Sequence, residues 1–330
     1  MTLGYVAWIT VCLVWGTTYL AIRVALETVP VLLVAGLRWM AAGVLLSGIV
    51  LASGRRLPPP RLWGSLLLLG VLMNVVGNGF VVWAEQYVAS GLAAVIIATV
   101  PFWSVGFEAV LPRGEGVSRG AIAGLAVGFL GIVVLVWPEL VAGGGSGRAF
   151  VGGVIALQIA CAGWALGTSY TKRHPLGADP LASAAMQMTF SGIMLLGLAT
   201  ANGEWAALHF TTRTLSAMTY LTVIGSLVAY PAYLFAIKHL PLSTVSLYAY
   251  INPLIAVALG AALLGEPFSL RIAVAAALVL IGMAIVGRAR RTSEPATGAP
   301  RYDEGTRGPE RFATATASST NATSPMPKSP

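Results

Sequence analysis

The sequence predicts an all-α membrane protein, with ten transmembrane helices arranged as two inverted five-helix repeats. Three observations predict it. Of the 330 residues, 57% are hydrophobic and only 10% charged, and the mean hydropathy is +0.80. A soluble domain carries about 25% charged residues, so this chain could not cover a soluble globule of its size. Apolar runs of roughly 18 or more residues recur along the chain. The first half of the chain also reappears, sparsely but at a nearly constant offset, in the second. The composition excludes a cytosolic enzyme, a nucleic-acid binder and a disordered protein.

In order, the expected spans are 3–22, 30–52, 62–84, 90–111, 119–137, 151–171, 181–201, 214–237, 242–264 and 270–287. Turn chemistry separates them: Pro58-Pro59-Pro60, Pro112-Arg113-Gly114, Gly143-Gly144-Gly145 and Gly177-Ala178-Asp179-Pro180. Each run is about twice as long as a barrel strand requires, so helices are expected. The first run lacks a basic leader and a small-residue cleavage site, and it reads as an uncleaved helix. From Thr292 onward there are 39 residues without Leu, Ile or Val, and 27 of them are Pro, Gly, Ser, Thr or Ala. Such a segment buries too little apolar surface to offset its ordering entropy and is expected to be disordered. Asn321-Ala322-Thr323 matches a glycosylation sequon, which means nothing on a cytoplasmic tail.

An even number of spans puts both termini on one side. If that side is the cytoplasm, its loops hold Arg55, Arg56, Arg61, Arg113, Arg119, Lys172, Arg173, Lys238, Arg288, Arg290 and Arg291. The opposite side holds only Arg23, Arg148, Arg213 and Arg271. Eleven against four selects cytoplasmic termini under the positive-inside rule. The net charge of +8 is therefore largely an orientation signal rather than a nucleic-acid footprint.

The repeat is clearest where Ala84 to Pro101, AEQYVASGLAAVIIATVP, aligns with Ala236 to Pro253, AIKHLPLSTVSLYAYINP, at an offset of 152. Cys12 and Trp15 align with Cys161 and Trp164 at an offset of 149. Five spans are an odd number, so the second copy enters from the opposite side. Inverted repeats allow one fold two mirror-related states, with the substrate held near the midplane. The expected units are 1–148, 149–287 and a tail, 288–330.

The chain resembles EamA-type transporters of the drug/metabolite transporter superfamily. The resemblance rests on Trp15-Gly16-Thr17-Thr18-Tyr19, mid-span Arg38, Ala93-Ala94 leading to Pro101, Asn252-Pro253, and Leu264-Gly265-Glu266-Pro267. It covers about residues 3–287 and implies a ten-helix fold that transports or exports small metabolites. The expected setting is a bacterial inner (plasma) membrane. Glu266 is read as a cap for the helix that follows. In the first half the matching Glu115 sits behind an inserted Pro112-Arg113, which leaves its capping role open.

Polar residues inside the spans nominate the site. Arg38 lies about 12 Å into a hydrocarbon core of roughly 30 Å, where it costs about 2.5–3.5 kcal/mol on insertion scales. It either faces the cavity and attracts a substrate carboxylate or phosphate, or it is structural. Its repeat mate, Met188, breaks the pseudo-symmetry. Gly70, Asn74 and Asn78 share a helix face, and their mates are Thr222, Ser226 and Tyr230. These stripes are either cavity wall or interhelical hydrogen-bond glue. Pro101 and Pro253 are expected helix breaks, surrounded by Thr99, Trp103, Tyr250 and Asn252. Glu85 and Glu108 are the candidates for proton coupling, with Glu108 read mainly as an interfacial ion-pair residue near Arg113 and Arg119. Gly120, Gly124, Gly128 and Gly131 allow close helix approach, within a monomer or in a dimer.

No phosphate-binding G-x-x-x-x-G-K-[ST] loop, metal-ligand cluster or catalytic set is visible, so neither ATP, metal, cofactor nor catalysis is expected. Cys12 and Cys161 read as buried small apolar residues. The leading expectation is a secondary transporter exporting small metabolites such as amino acids. A nucleotide-sugar or sugar-phosphate exchanger of the same fold ranks lower, because one cavity cation is few for phosphate. A non-transporting membrane binding or assembly subunit is the alternative from another class. The expected partners are a small-molecule substrate and the lipid bilayer, with monomer and homodimer both open.

Overall fold

The computed structural model describes residues 2–111, 118–142, 145–240, 242–245 and 247–293, without the side chains at 139, 140, 142, 242, 243 and 290–293. Residues 288–293 of the expected tail continue the last helix, and the rest of that tail, like Glu115, lies outside the described residues. Among the described residues ten long helices follow one another: α1 Thr2–Ala25, α2 Val31–Ala52, α3 Pro60–Ala84, α4 Ser90–Val110, α5 Arg119–Ala142, α6 Gly145–Arg173, α7 Pro180–Ala201, α8 Thr212–His239, α9 Tyr248–Leu264 and α10 Leu270–Ser293, with a single turn, Leu242–Val245, before α9. Among the described residues, nine are long and apolar enough to cross a membrane, and α9 is shorter at 17 residues. At 1.5 Å per residue α9 spans about 26 Å, close to a hydrocarbon core of roughly 30 Å. The protein is an all-α membrane protein built as two inverted five-helix repeats.

The inversion is visible in which connections meet. Glu27 and Thr28, between α1 and α2, pair with Arg213 (3.1 Å) and Thr214 (2.9 Å) at the start of α8. Arg55, between α2 and α3, pairs with Asp179 before α7 (3.3 Å). Each end of the bundle thus collects alternate connections from both halves, as ten passes of alternating direction require.

Local chemistry sets the starts of α7, α8 and α10. Asp179 Oδ1 accepts from Leu181 N (2.9 Å) and Ala182 N (3.0 Å), capping α7 ahead of Pro180 in its first turn. Thr211 and Thr214 form a reciprocal capping box at α8. α2 and α4 have no side-chain cap of their own and borrow carboxylates from the other half. Glu204 Oε2 accepts from Leu32 N and Leu33 N (3.0 and 3.2 Å). Glu266 accepts from Ser90 N and Gly91 N (2.7 and 3.1 Å). This corrects the expectation that Glu266 caps the helix that follows it. Gly265 ends α9 in the left-handed region (φ +63°) and turns the chain back, leaving Glu266 against α4, while Ser269 Oγ accepts from Ile272 N at α10.

Packing pairs equivalent helices. α2 lies against α7 so closely that a Cβ on Gly43 would strike the Thr189 backbone, and one on Gly192 would come 2.5 Å from Met40 N. α5 lies against α10 through Gly124, Gly131 and Gly282, a Cβ on Gly124 coming 2.7 Å from the Gly282 carbonyl. The glycine stripe of α5 is therefore spent inside the monomer.

The interruptions fall near, but not at, the expected prolines. α4 breaks at Ala98–Thr99, and Pro101 sits in the first turn of the second segment, where its missing N–H costs little. Pro253 corrects the expectation: it lies inside an unbroken α9, and the chain is interrupted before Tyr248 instead. Its lost donor would have bonded the Ala249 carbonyl, one turn from the helix start, so the helix absorbs it. Two π-helical stretches were not expected: Gly70–Asn78 in α3 and Val223–Val228 in α8. They occupy repeat-equivalent positions, and each packs on helices of the opposite half. π-Bulges commonly mark functional sites.

Candidate functional site

Two cross-repeat links rise from the π stretches. Asn74, 7% exposed, donates from Nδ2 to Ser191 Oγ of α7 (3.1 Å). Its mate Ser226, 1% exposed, accepts from Arg38 Nε of α2 (3.1 Å) and donates to the Leu221 carbonyl (3.1 Å). Ser226 is held by a wide turn of its own helix, so the π stretch positions the hydroxyl that positions the arginine.

Arg38 is 4% exposed, with its guanidinium 4.6 Å from the Trp39 ring centroid. Its Nη1 is buried without a hydrogen-bond partner among the described residues. Asn78 Oδ1 is likewise buried and unpartnered. Beyond the end of α3 lies Glu85, fully buried, neither carboxylate oxygen having a hydrogen-bond partner among the described residues. Arg23 Nη1 donates to the Glu85 backbone carbonyl. Burial pushes the Glu85 carboxyl well above the usual carboxylate range, Glu266 adding to the rise and Arg23 and Arg38 opposing it.

The remaining predicted residues separate into distinct groups. Thr99 and Trp103 meet on Gln158 of α6: Trp103 Nε1 donates to Gln158 Oε1 (2.8 Å), and Gln158 Nε2 donates to Thr99 Oγ1 (3.2 Å). Tyr230 joins an aromatic cluster of Trp15, Tyr233 and Tyr248, with centroids 5.1–6.4 Å apart. Asn252, 7% exposed, has its amide oriented to donate to the Cys12 and Tyr248 carbonyls (2.9 and 3.1 Å), tying α9 to α1. The Tyr250 hydroxyl lies against Gly287 of α10, 3.3 Å from where a Cβ would sit. Glu108 forms a two-point pair with Arg173 of α6 (3.0 and 2.9 Å), rather than with Arg119, and accepts from Ser169 (3.3 Å). Arg113 lies outside the described residues.

Sequence reasoning missed Gln158, Ser191, Glu204 and Arg173 as partners. Self-comparison carries a signal for Gln158, an amide inside an apolar run whose mate is Ile9. Ser191 and Glu204 carry none, because each is defined by what faces it across the repeats.

The model of the EamA-like transporter family matches residues 2–137 and 151–288, one copy in each half. The chain belongs to the EamA-like transporter family. Among relatives of this EamA protein, an inner membrane transporter of Escherichia coli K12, YedA, is 36% identical over 258 residues, covering 78% of this chain and 81% of that one. A transporter of Bacillus subtilis, YvbV, is 24% identical over 284 residues, covering 86% and 91%. A crystal structure 21% identical in sequence superposes with a TM-score of 0.61 over 87% of this chain and 98% of that one, a likeness of fold. This EamA chain is an integral membrane transporter.

Proposed function

We propose that this EamA transporter is a secondary transporter exporting a small amphipathic metabolite, an amino acid or a derivative, by alternating access. The observation that carries the reading is Arg38. A guanidinium at this depth is costly, yet Ser226 occupies only its Nε, and Nη1 is left without a partner. A substrate carboxylate supplies that partner and offsets the desolvation of both groups. Asn74, Asn78, Thr99, Tyr230, Tyr250 and Asn252 furnish the polar and aromatic surroundings. The Ser226 side of the contact belongs to the second half, so rocking one half against the other breaks it and exposes Arg38.

Glu85 is the group that couples a proton to this cycle. A fully buried carboxyl with both oxygens unpartnered is comfortable only when neutral, and opening toward water lets it ionise. Glu108 is already held in a two-point pair by Arg173, which fixes its charge. The termini and the α2–α3 connection face the cytoplasm, following the eleven-to-four division of basic residues. The repeats are 1–148 and 149–287, with a tail following the last helix.

The test is counterflow in proteoliposomes across a panel of amino acids, nucleobases and drugs, with and without a pH gradient. Exchange of a carboxylate-bearing solute, driven by the gradient, is the expected result. Exchange confined to uncharged or cationic solutes would remove Arg38 from substrate recognition, and exchange indifferent to the gradient would remove Glu85 from coupling.

A further inference from the structure

A groove of about 640 Å³ opens on the outside of the bundle between α4, α5 and α6, with Ile132 and Trp137 along one wall, Val151 and Ile155 along the other, and Trp103 and Gln158 at its floor. Its volume lies within the roughly 300–1,000 Å³ of ligand pockets. Trp137 and Ile155, 62% and 56% exposed, show that it faces outward, into the hydrocarbon of a surrounding bilayer. The wall is apolar apart from Gln158, whose amide oxygen and nitrogen are already bonded to Trp103 and Thr99. The surface that the groove presents is apolar, so it suits hydrocarbon.

Its length decides which hydrocarbon. From Val151 to Ala162 it follows α6 for about 16 Å at 1.5 Å per residue. That is half of a hydrocarbon core of roughly 30 Å, the depth of one leaflet. It begins at the α5–α6 end, where Trp137 sits at the level favoured by interfacial tryptophans, and it stops near mid-depth. Arg148 lies one turn beyond Val151 on the same face of α6, since 148, 151, 155, 159 and 162 follow the helical repeat, and it is exposed. A cation at the headgroup end of a chain-length apolar slot is complementary to a whole phospholipid.

We infer that the groove between α4, α5 and α6 is a phospholipid site, which seats one acyl chain against Trp103 and Gln158 and pairs the lipid phosphate with Arg148. The seated chain covers the Trp103–Gln158 bond at the floor of the groove.

The experiment uses the full chain in vesicles containing phosphatidylglycerol with a diazirine on one acyl chain. After irradiation, adducts are mapped by peptide mass spectrometry. Adducts are expected to concentrate on the groove, above those on the comparably exposed α2 face at Val44 and Ile49, 55% and 50% exposed. Ala162→Phe fills the deep end and lowers groove labelling while leaving the α2 face unchanged. Arg148→Glu, at an exposed position that leaves the packing intact, lowers it about fivefold or more, the order expected for losing one basic residue's attraction to an anionic headgroup. Labelling spread evenly over all outward faces, or groove labelling that survives either substitution, would overturn the proposal.

Discussion

Asn74 and Ser226 occupy equivalent positions in α3 and α8, both on π-helical stretches facing the opposite half, yet Asn74 reaches a serine and Ser226 reaches an arginine. One scaffold makes a cross-repeat link from both positions, once between neutral groups and once with a buried cation, although the partners, Ser191 on α7 and Arg38 on α2, are not repeat mates. The neutral link is satisfied at both ends of the contact. The charged one leaves Arg38 Nη1 without a partner among the described residues. Duplication explains the shared geometry, and divergence at Arg38 and Met188 confines the charge to one half. A two-fold fold therefore presents a one-sided site.

Removing the charge should have the largest effect. Arg38→Ala is expected to abolish counterflow while leaving membrane insertion intact, checked by solute exchange and by recovery from the membrane fraction. Wild-type exchange would make the two links equivalent after all. Next, Ser226→Ala removes a hydrogen bond to a charged group, worth about 1.5–3 kcal/mol, so exchange at low substrate should fall roughly tenfold or more. Asn74→Ala removes a neutral bond worth about 1 kcal/mol and should lower thermal stability with a smaller loss of exchange. Equal losses in the two variants would erase the functional difference between the halves.

Glycine contacts test the frame that both links share. Gly43→Ala drives a Cβ into the Thr189 backbone between α2 and α7 and should cost about 1–3 kcal/mol in detergent unfolding. Gly48→Ala, in the same helix with nothing within 4 Å, should stay within about 0.5 kcal/mol. The smallest effect concerns pH. Because the Glu85 carboxyl is raised in the folded protein, the folded state binds the extra proton. Stability should therefore fall as pH rises above the usual carboxylate range of about 4.3 toward the raised value. Glu85→Gln should flatten that fall, measured as melting temperature against pH. An unchanged pH profile would show Glu85 already ionised beside Arg23 and Arg38.

Much of the fold was legible in the sequence because helix-length apolar runs have few alternatives in a bilayer, where backbone groups must be satisfied internally. The repeat was legible because Pro101 and Pro253, and Trp15 and Trp164, still align. Arg38, Asn74 and Asn78 stood out because each is expensive in an apolar run. Their partners did not stand out. Ser191 is small and neutral, and Ser226 was legible only as a stripe residue and not as the partner of Arg38, because their significance depends on the side chain facing them. Glu266 shows the limit most plainly: a carboxylate just before a helix reads as a local cap, and only the turn at Gly265 sends it to Ser90 and Gly91 instead.

By itself the sequence determined the ten membrane helices, their two-fold order and the charge asymmetry across the bilayer, since each is set by composition and periodicity along one segment at a time. Only the tertiary structure decided the π stretches, the borrowed caps, the union of Arg38 with Ser226 and the groove at Trp103. These depend on two segments about 55 to 190 residues apart meeting at hydrogen-bond or van der Waals distance, and no local pattern of hydropathy encodes which side chain will be opposite.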